Sequence, residues 1–546
     1  MFRLSVASVL LIVSAAVFGS DVRAPSPVKF RISGTVVNAI SGQPLSKIQV
    51  SVGPAVSPAA SQTITTGEDG HFQFNDLSRG KYWLLAEGRG FSAQRFDQHE
   101  QFSTAIAVGP GLSSEGLIFR LSPDATIVGT ITDEQNEAVA EARVMLFRTG
   151  VQNGAASTQI LNQAQTDDQG HYHLSHVPPG TYYVAVSARP WYADNRPRRG
   201  LRETISDRGS IGKSSETQPD PQFDVTYPIT FYPGVTDPSA ATALTLNQGD
   251  RLVVDLAMTA VQCVPLRLSD PSIQPNQGFN ANIAENVFGM SFPVATAVNV
   301  LGPGEVEVSG LAPGHYSINL QTFGKTPVSR EQQVDLSDDS EISMANSATA
   351  PSIKGIVTME DGRPLPRNLN VILFSRNEQN LTAQTSANGE FEMPPQFTRP
   401  GKYQVAVFGS PGMFLKSVSA TGASLTAREL NVVGGAVVNL KMIVSQGTGR
   451  IDGTALRDNK PFAGAMIVLV PQDIEHNSLL VRRDQSDSDG TFSLYDVLPG
   501  SYTVVAIQNG WDLQWLNPEV LRPYLKTGTA VTVAARGRYD IKVTVQ

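Results

Sequence analysis

Residues able to do chemistry are scattered thinly along this 546-residue sequence. The seven histidines are His71, His99, His171, His173, His176, His315 and His476, and only His171, His173 and His176 lie close together. On a strand His171 and His173 share a face, a spacing open to a metal ion if His176 joins them. The same alternation also turns Tyr172 and Leu174 to a core and both histidines to water. Neither His-x-x-Glu nor His-Glu-x-x-His occurs, so the ligand spacings of a zinc peptidase are missing. A Gly-x-Ser-x-Gly nucleophile elbow is likewise missing. The run Gly209-Ser210-Ile211-Gly212-Lys213-Ser214 ends like a phosphate loop, but Asp207 stands where its first glycine belongs. No catalytic residue, cofactor or metal is assigned. Asp484, Asp487 and Asp489 form a short acidic turn that offers oxygens to calcium, without the glutamate that would complete an EF-hand loop. Their alternative role is to shape the hairpin turn before Phe492. Two loops carry aromatic rings suited to stacking on a ligand: Trp191 and Tyr192, followed by the basic run Arg196 to Arg202, and then Trp511, Trp515 and Tyr524. The alternative is that these rings pin long loops against their own domain.

The elements that must position such residues are short strands. A chain of this length exceeds one hydrophobic core, which stops growing near roughly 250 to 300 residues. Charge is low at 17%, while 47 glycines and 35 prolines suit many turns between strands. The formal net charge of −8 argues against a nucleic-acid binder, which needs a basic surface. Met1 to Arg3, the apolar run Leu4 to Phe18 and the small residues that follow read as a signal peptide over 1–24. No later stretch has the roughly 20 apolar residues of a membrane span. Cys263 is the single cysteine, so packing rather than disulfides must hold each unit.

A repeat is visible in the turns. Gly-x-Tyr occurs at Gly80, Gly180, Gly314, Gly401 and Gly500, each followed by an apolar or alternating strand. Upstream lie Asp69-Gly70-His71-Phe72, Asp168-Gln169-Gly170-His171-Tyr172, Asn388-Gly389-Glu390-Phe391 and Asp489-Gly490-Thr491-Phe492, hairpin turns that launch a return strand with an inward aromatic. Earlier still, Ile-x-Gly-x-Val or a near variant opens the unit at Ile32, Ile127, Ile353 and Ile451. A closing strand pair ends each, as at Leu244–Leu246 with Leu252–Leu256. These signals predict an all-β chain, a tandem array of small antiparallel β-sandwiches of about seven strands each. The expected units are 25–122, 123–262 with an insert at 190–225, a degenerate 263–348, 349–445 and 446–546. Short linkers predict a bent or extended rod.

The succession Ile-x-Gly-x-Val, Gly-x-Pro-Leu, Asp-x-Gly-x-Phe and Pro-Gly-x-Tyr resembles the carboxypeptidase regulatory-like domain, which is similar to transthyretin-like and Cna B-type modules and is grouped with starch-binding-like folds. The resemblance covers units one, two, four and five, and reaches unit three only through Gly314-His315-Tyr316 and its closing strand. Tyr232-Pro233-Gly234-Val235-Thr236-Asp237 with Asn247-Gln248-Gly249 is similar to an extended form of the domain found in exported bacterial proteins. The family name implies no peptidase here, because the module is an accessory to a separate zinc domain that this sequence does not resemble. Cna B-type likeness raises Lys–Asn cross-links, but only Lys354 stands in an opening strand, and none is predicted. The resemblance implies a non-enzymatic bacterial scaffold for adhesion or assembly, periplasmic, cell-surface or secreted. Its partner is an unknown protein or polysaccharide of the cell envelope. Polysaccharide binding through Trp191, Tyr192, Trp511, Trp515 and Tyr524, and an accessory role in an uptake or hydrolytic system, are the alternatives.

Overall fold

The computed structural model describes residues 28–546 apart from 57–60, 195–203, 206–210, 213–219, 221, 275–277, 324–327, 339, 376–379 and 396. The expected signal peptide and the basic run from Arg196 to Arg202 lie outside the described residues. Strands dominate what remains, and Pro518–Leu525 is the one α-helix among the described residues.

One three-strand arrangement recurs five times. The opening strand Phe30–Asn38 pairs antiparallel with His71–Leu77 and parallel with Leu117–Leu121. Ala125–Thr132 sits likewise between His171–Val177 and Arg251–Val253. Val264–Ser269 lies between Glu305–Leu311 and Ser340–Ser343, and Ser352–Met359 between Glu390–Glu392 and Val437–Gln446. Gly449–Arg457 completes the series between Thr491–Val497 and Arg538–Thr544. The facing sheet of each sandwich is built on the Gly-x-Tyr strands Gly80–Gly88, Gly180–Ser187, Gly314–Thr322, Gly401–Phe408 and Gly500–Ile507. Each sandwich encloses its own apolar core. The closing pair straddles the sandwich: Leu244–Leu246 joins the Gly180–Ser187 strand, and Arg251–Val253 joins the opening strand.

The packing explains the repeated residue types. A Cβ on Gly129 would stand 1.9 Å from the Val254 carbonyl oxygen and 2.9 Å from the Tyr172 ring. On Gly453 it would stand 2.5 Å from the Phe492 ring and 2.7 Å from the Ile541 oxygen. The opening glycine is thus the seat of the aromatic that follows the hairpin turn, with the closing strand pressed against it. The Gly-x-Tyr tyrosine donates its hydroxyl to the carbonyl four residues upstream in all five units: Tyr82 to Ser78 at 2.9 Å, Tyr182 to Pro178 at 2.5 Å, Tyr316 to Ala312 at 2.8 Å, Tyr403 to Arg399 at 2.7 Å and Tyr502 to Leu498 at 2.9 Å. That bond lets the phenol reach from the core to the surface without stranding its polar tip.

The third unit keeps the topology without the opening glycine. Its return strand is launched by Gly302-Pro303-Gly304, with Gly304 at φ 83°. Units two and three share an apolar junction of Met145, Phe147, Ile229 and Phe231 against Val287 and Phe292. Asp124 ties unit one to unit two through Ser92 and through His176, whose Nδ1 lies 2.6 Å away. Units three and four meet through Arg399 and Glu331 at 2.9 Å. The expected rod is not what these contacts build, because the fifth unit returns to pack on the first.

Candidate functional site

A cluster of charged and aromatic side chains between units lies where residues 81–107 meet 464–515. Strand Arg482–Gln485 and the acidic turn after it supply one side, and the loop between Phe91–Arg95 and Ile106–Val108 supplies the other. Gln485, 1% exposed, donates its amide to the Asp97 carbonyl at 2.6 Å and to Thr104 Oγ1 at 2.8 Å. Ala105 N–H donates to Asp487 Oδ1 at 2.9 Å, Ser488 N–H to the Ala105 carbonyl at 3.0 Å, and Ala107 N–H to Ser488 Oγ at 2.8 Å. Lys81 Nζ donates to Asp487 Oδ2. Arg483 forks onto Glu100 at 2.7 and 3.2 Å, and its guanidinium lies 4.6 Å from the Trp515 ring and 5.1 Å from Phe102. His99 stacks on Trp511 with centroids 4.9 Å apart and planes 7° apart, and its Nδ1–H donates to Gln485 Oε1, 3.3 Å away. Buried Arg forks and aromatic stacks are the groups that dominate interface energies.

These contacts correct the sequence reading of Trp511 and Trp515. As stacking platforms both would be exposed; they are 7% and 5% exposed, in a cluster with Met466, Val468, Ile474 and Leu521 of their own unit, as the alternative of loop-pinning rings has it. Tyr524 packs partly buried against the same cluster. Neighbours distant in the chain add to this cover: His99 and Phe102 lie against Trp511, and Gly154 of unit two lies against Trp515. The hairpin of unit two also arrives here, since Leu516 N–H donates to the Gly154 carbonyl at 2.9 Å. Trp191, by contrast, is 85% exposed, edge-on to Tyr192, whose hydroxyl donates to Glu134 at 3.3 Å.

The acidic turn is engaged rather than open. Asp484 accepts Ser493 N–H at 2.7 Å and Gln485 N–H at 2.9 Å, and Asp489 accepts the Thr491 N–H and hydroxyl. Asp487 holds Lys81 and Ala105. An ammonium group therefore already balances the carboxylate that a calcium ion would need. Burial pushes the Asp484 carboxyl up to about 6. Burial also raises Asp487, and Lys81 opposes that rise. Among the described residues, no group of three or more His, Cys, Asp or Glu is placed to hold a metal ion. His171, His173 and His176 all face solvent, and His176 is turned aside to Asp124.

The fold and this junction define a serial all-β protein of repeated sandwiches. Residues 31–121 and 126–198, in the first two units, each match the family model of the carboxypeptidase regulatory-like domain. No curated protein matches the chain. Among solved structures, a streptococcal ancillary pilin is similar at 13% identity over 50% of this chain and 96% of its own, with a TM-score of 0.17. The minor pilin GBS52 of Streptococcus agalactiae matches at 15% identity over 42% and 96%, with a TM-score of 0.19. The TIE protein of Bacillus anthracis matches at 10% identity over 96% and 76%, with a TM-score of 0.16. Scores this low mean poor overall superposition.

Proposed function

We propose that this is a non-enzymatic exported scaffold whose five units, 25–122, 123–262, 263–348, 349–445 and 446–546, form a closed assembly platform in the bacterial envelope. The observation that carries the reading is the junction between first and last units. Its buried side chains serve module-to-module contact, and repetition supplies surface for several partners. Export after removal of 1–24, and a periplasmic or cell-surface location, belong to the same reading. The test is fractionation of cells producing the chain, with cross-linking in intact cells. Recovery in the envelope with discrete cross-linked partners supports it; recovery as a free cytoplasmic monomer overturns it. Polysaccharide binding is a second reading, favoured by the solvent-facing Trp191–Tyr192 pair alone. Trp191→Ala should then abolish retention on insoluble polysaccharide, and no retention of the parent chain removes that reading.

A further inference from the structure

A cleft of about 940 Å³ lies between the hairpin of unit two, the outer sheet of unit three and the Phe397–Arg399 segment of unit four. Two of its walls are strand edges. Among the described residues, Ala155–Gln165 pairs only with Arg143–Gln152, and Met290–Pro293 only with Phe279–Val287, so each presents a strand edge with no partner strand there. The first is unusual in its length and in what it lacks. Its 11 residues, AASTQILNQAQ, include no charge and no proline. Natural edges are normally blunted by lysine, proline or shortness, and an unguarded edge is a template for another strand. Ala156, Ser157 and Thr158 of this edge line the cleft.

The charges there say what would fit. Glu331 is paired with Arg399. Glu285 also lines the cleft and is half-buried, and its carboxylate has no ion-pair or hydrogen-bond partner among the described residues. Of the two rings that line the cleft, Phe288 is already packed on Phe147, Tyr183 and Phe231 at 4.8–5.5 Å, which leaves Phe397, 49% exposed, as the single open ring face, too few to sandwich a sugar. We propose that the cleft takes an extended segment of another polypeptide, which adds as a strand to the Ala155–Gln165 edge and sets a lysine or arginine against Glu285. Backbone pairing would supply the affinity, and the cation the register. The inference stands whether or not the envelope role holds, because it concerns binding by the purified chain.

The test uses the full mature chain and a labelled peptide of alternating threonine and serine with one central lysine, beside a copy with norleucine in its place. Binding is followed by fluorescence anisotropy up to roughly millimolar chain. The lysine peptide should bind at least about tenfold more tightly than the norleucine copy, and Glu285→Gln should erase that difference. Ser157→Pro and Thr158→Pro remove N–H groups that point to opposite edges, so one of the two should abolish binding while keeping the parent melting temperature. Equal binding of the two peptides, survival of binding in both proline variants, no binding at all, or displacement by a neutral oligosaccharide would each overturn the proposal.

Discussion

Replacing Arg483 by alanine should open the closed arrangement without unfolding any sandwich. The side chain is 5% exposed and its partner Glu100 25% exposed, so the pair is largely removed from water. Deleting one partner of a fully buried pair costs about 3–5 kcal/mol because the other charge is left uncompensated. Glu100 keeps some access to water, which reduces this to about 1.5–3 kcal/mol. Loss of the guanidinium over Trp515 and Phe102 adds about 0.5–1 kcal/mol. A junction weakened by about 2–4 kcal/mol shifts its open-to-closed ratio by roughly 30- to 1000-fold, because each 1.4 kcal/mol is a factor of ten. Solution scattering, together with a dye pair on the first and fifth units, should show an expanded chain. A double-mutant cycle with Glu100→Ala should return a coupling of about 1.5–3 kcal/mol. An unchanged distance distribution, or a coupling below about 0.5 kcal/mol, would refute the reasoning.

Three other outcomes are expected. Burial alone pushes the Glu285 carboxyl from 4.5 to about 7. Stability from this group is therefore present below pH 4.5 and lost as pH rises through 7, and Glu285→Gln should flatten that loss, worth about 1–2 kcal/mol after discounting for partial exposure, in urea titrations at pH 5 and 8. Gly129→Ala pushes a methyl into the Val254 carbonyl and the Tyr172 ring, and should lower the stability of the second sandwich by about 2–3 kcal/mol by denaturant midpoint. Tyr182→Phe strands the Pro178 carbonyl and should cost about 1 kcal/mol, with a matching loss for Tyr502→Phe in the fifth unit.

The parts of the fold written in local pattern were legible. Ile-x-Gly-x-Val, the Asp-Gly turns and Gly-x-Tyr each mark a contact made within one unit, and turn chemistry and strand alternation report such contacts directly. The third unit was only half visible, because Gly302-Pro303-Gly304 replaces the Asp-Gly-aromatic signal and no glycine seat is needed without the aromatic. Trp511 and Trp515 were left between two readings for a different reason. A tryptophan in a loop reads the same whether it faces water or a module several hundred residues distant, and only the long-range partners His99, Phe102 and Glu100 decide which. The open edge at Ala155–Gln165 was equally silent, since an edge is defined by the strand that is absent beside it.

The parallel pairing of each opening strand with its closing strand has a mechanical consequence. In the fifth sandwich Arg450 to Leu456 run alongside Arg538 to Thr544 in the same direction, so the chain enters at one end of the sheet and leaves at the other. A pull on those two ends loads the row of hydrogen bonds lengthwise, and they must fail together instead of one after another as in a hairpin peeled from its tip. Five units wired this way make a chain that resists tension at every link. Under load, the side-chain junction between first and last units should part before any sandwich does.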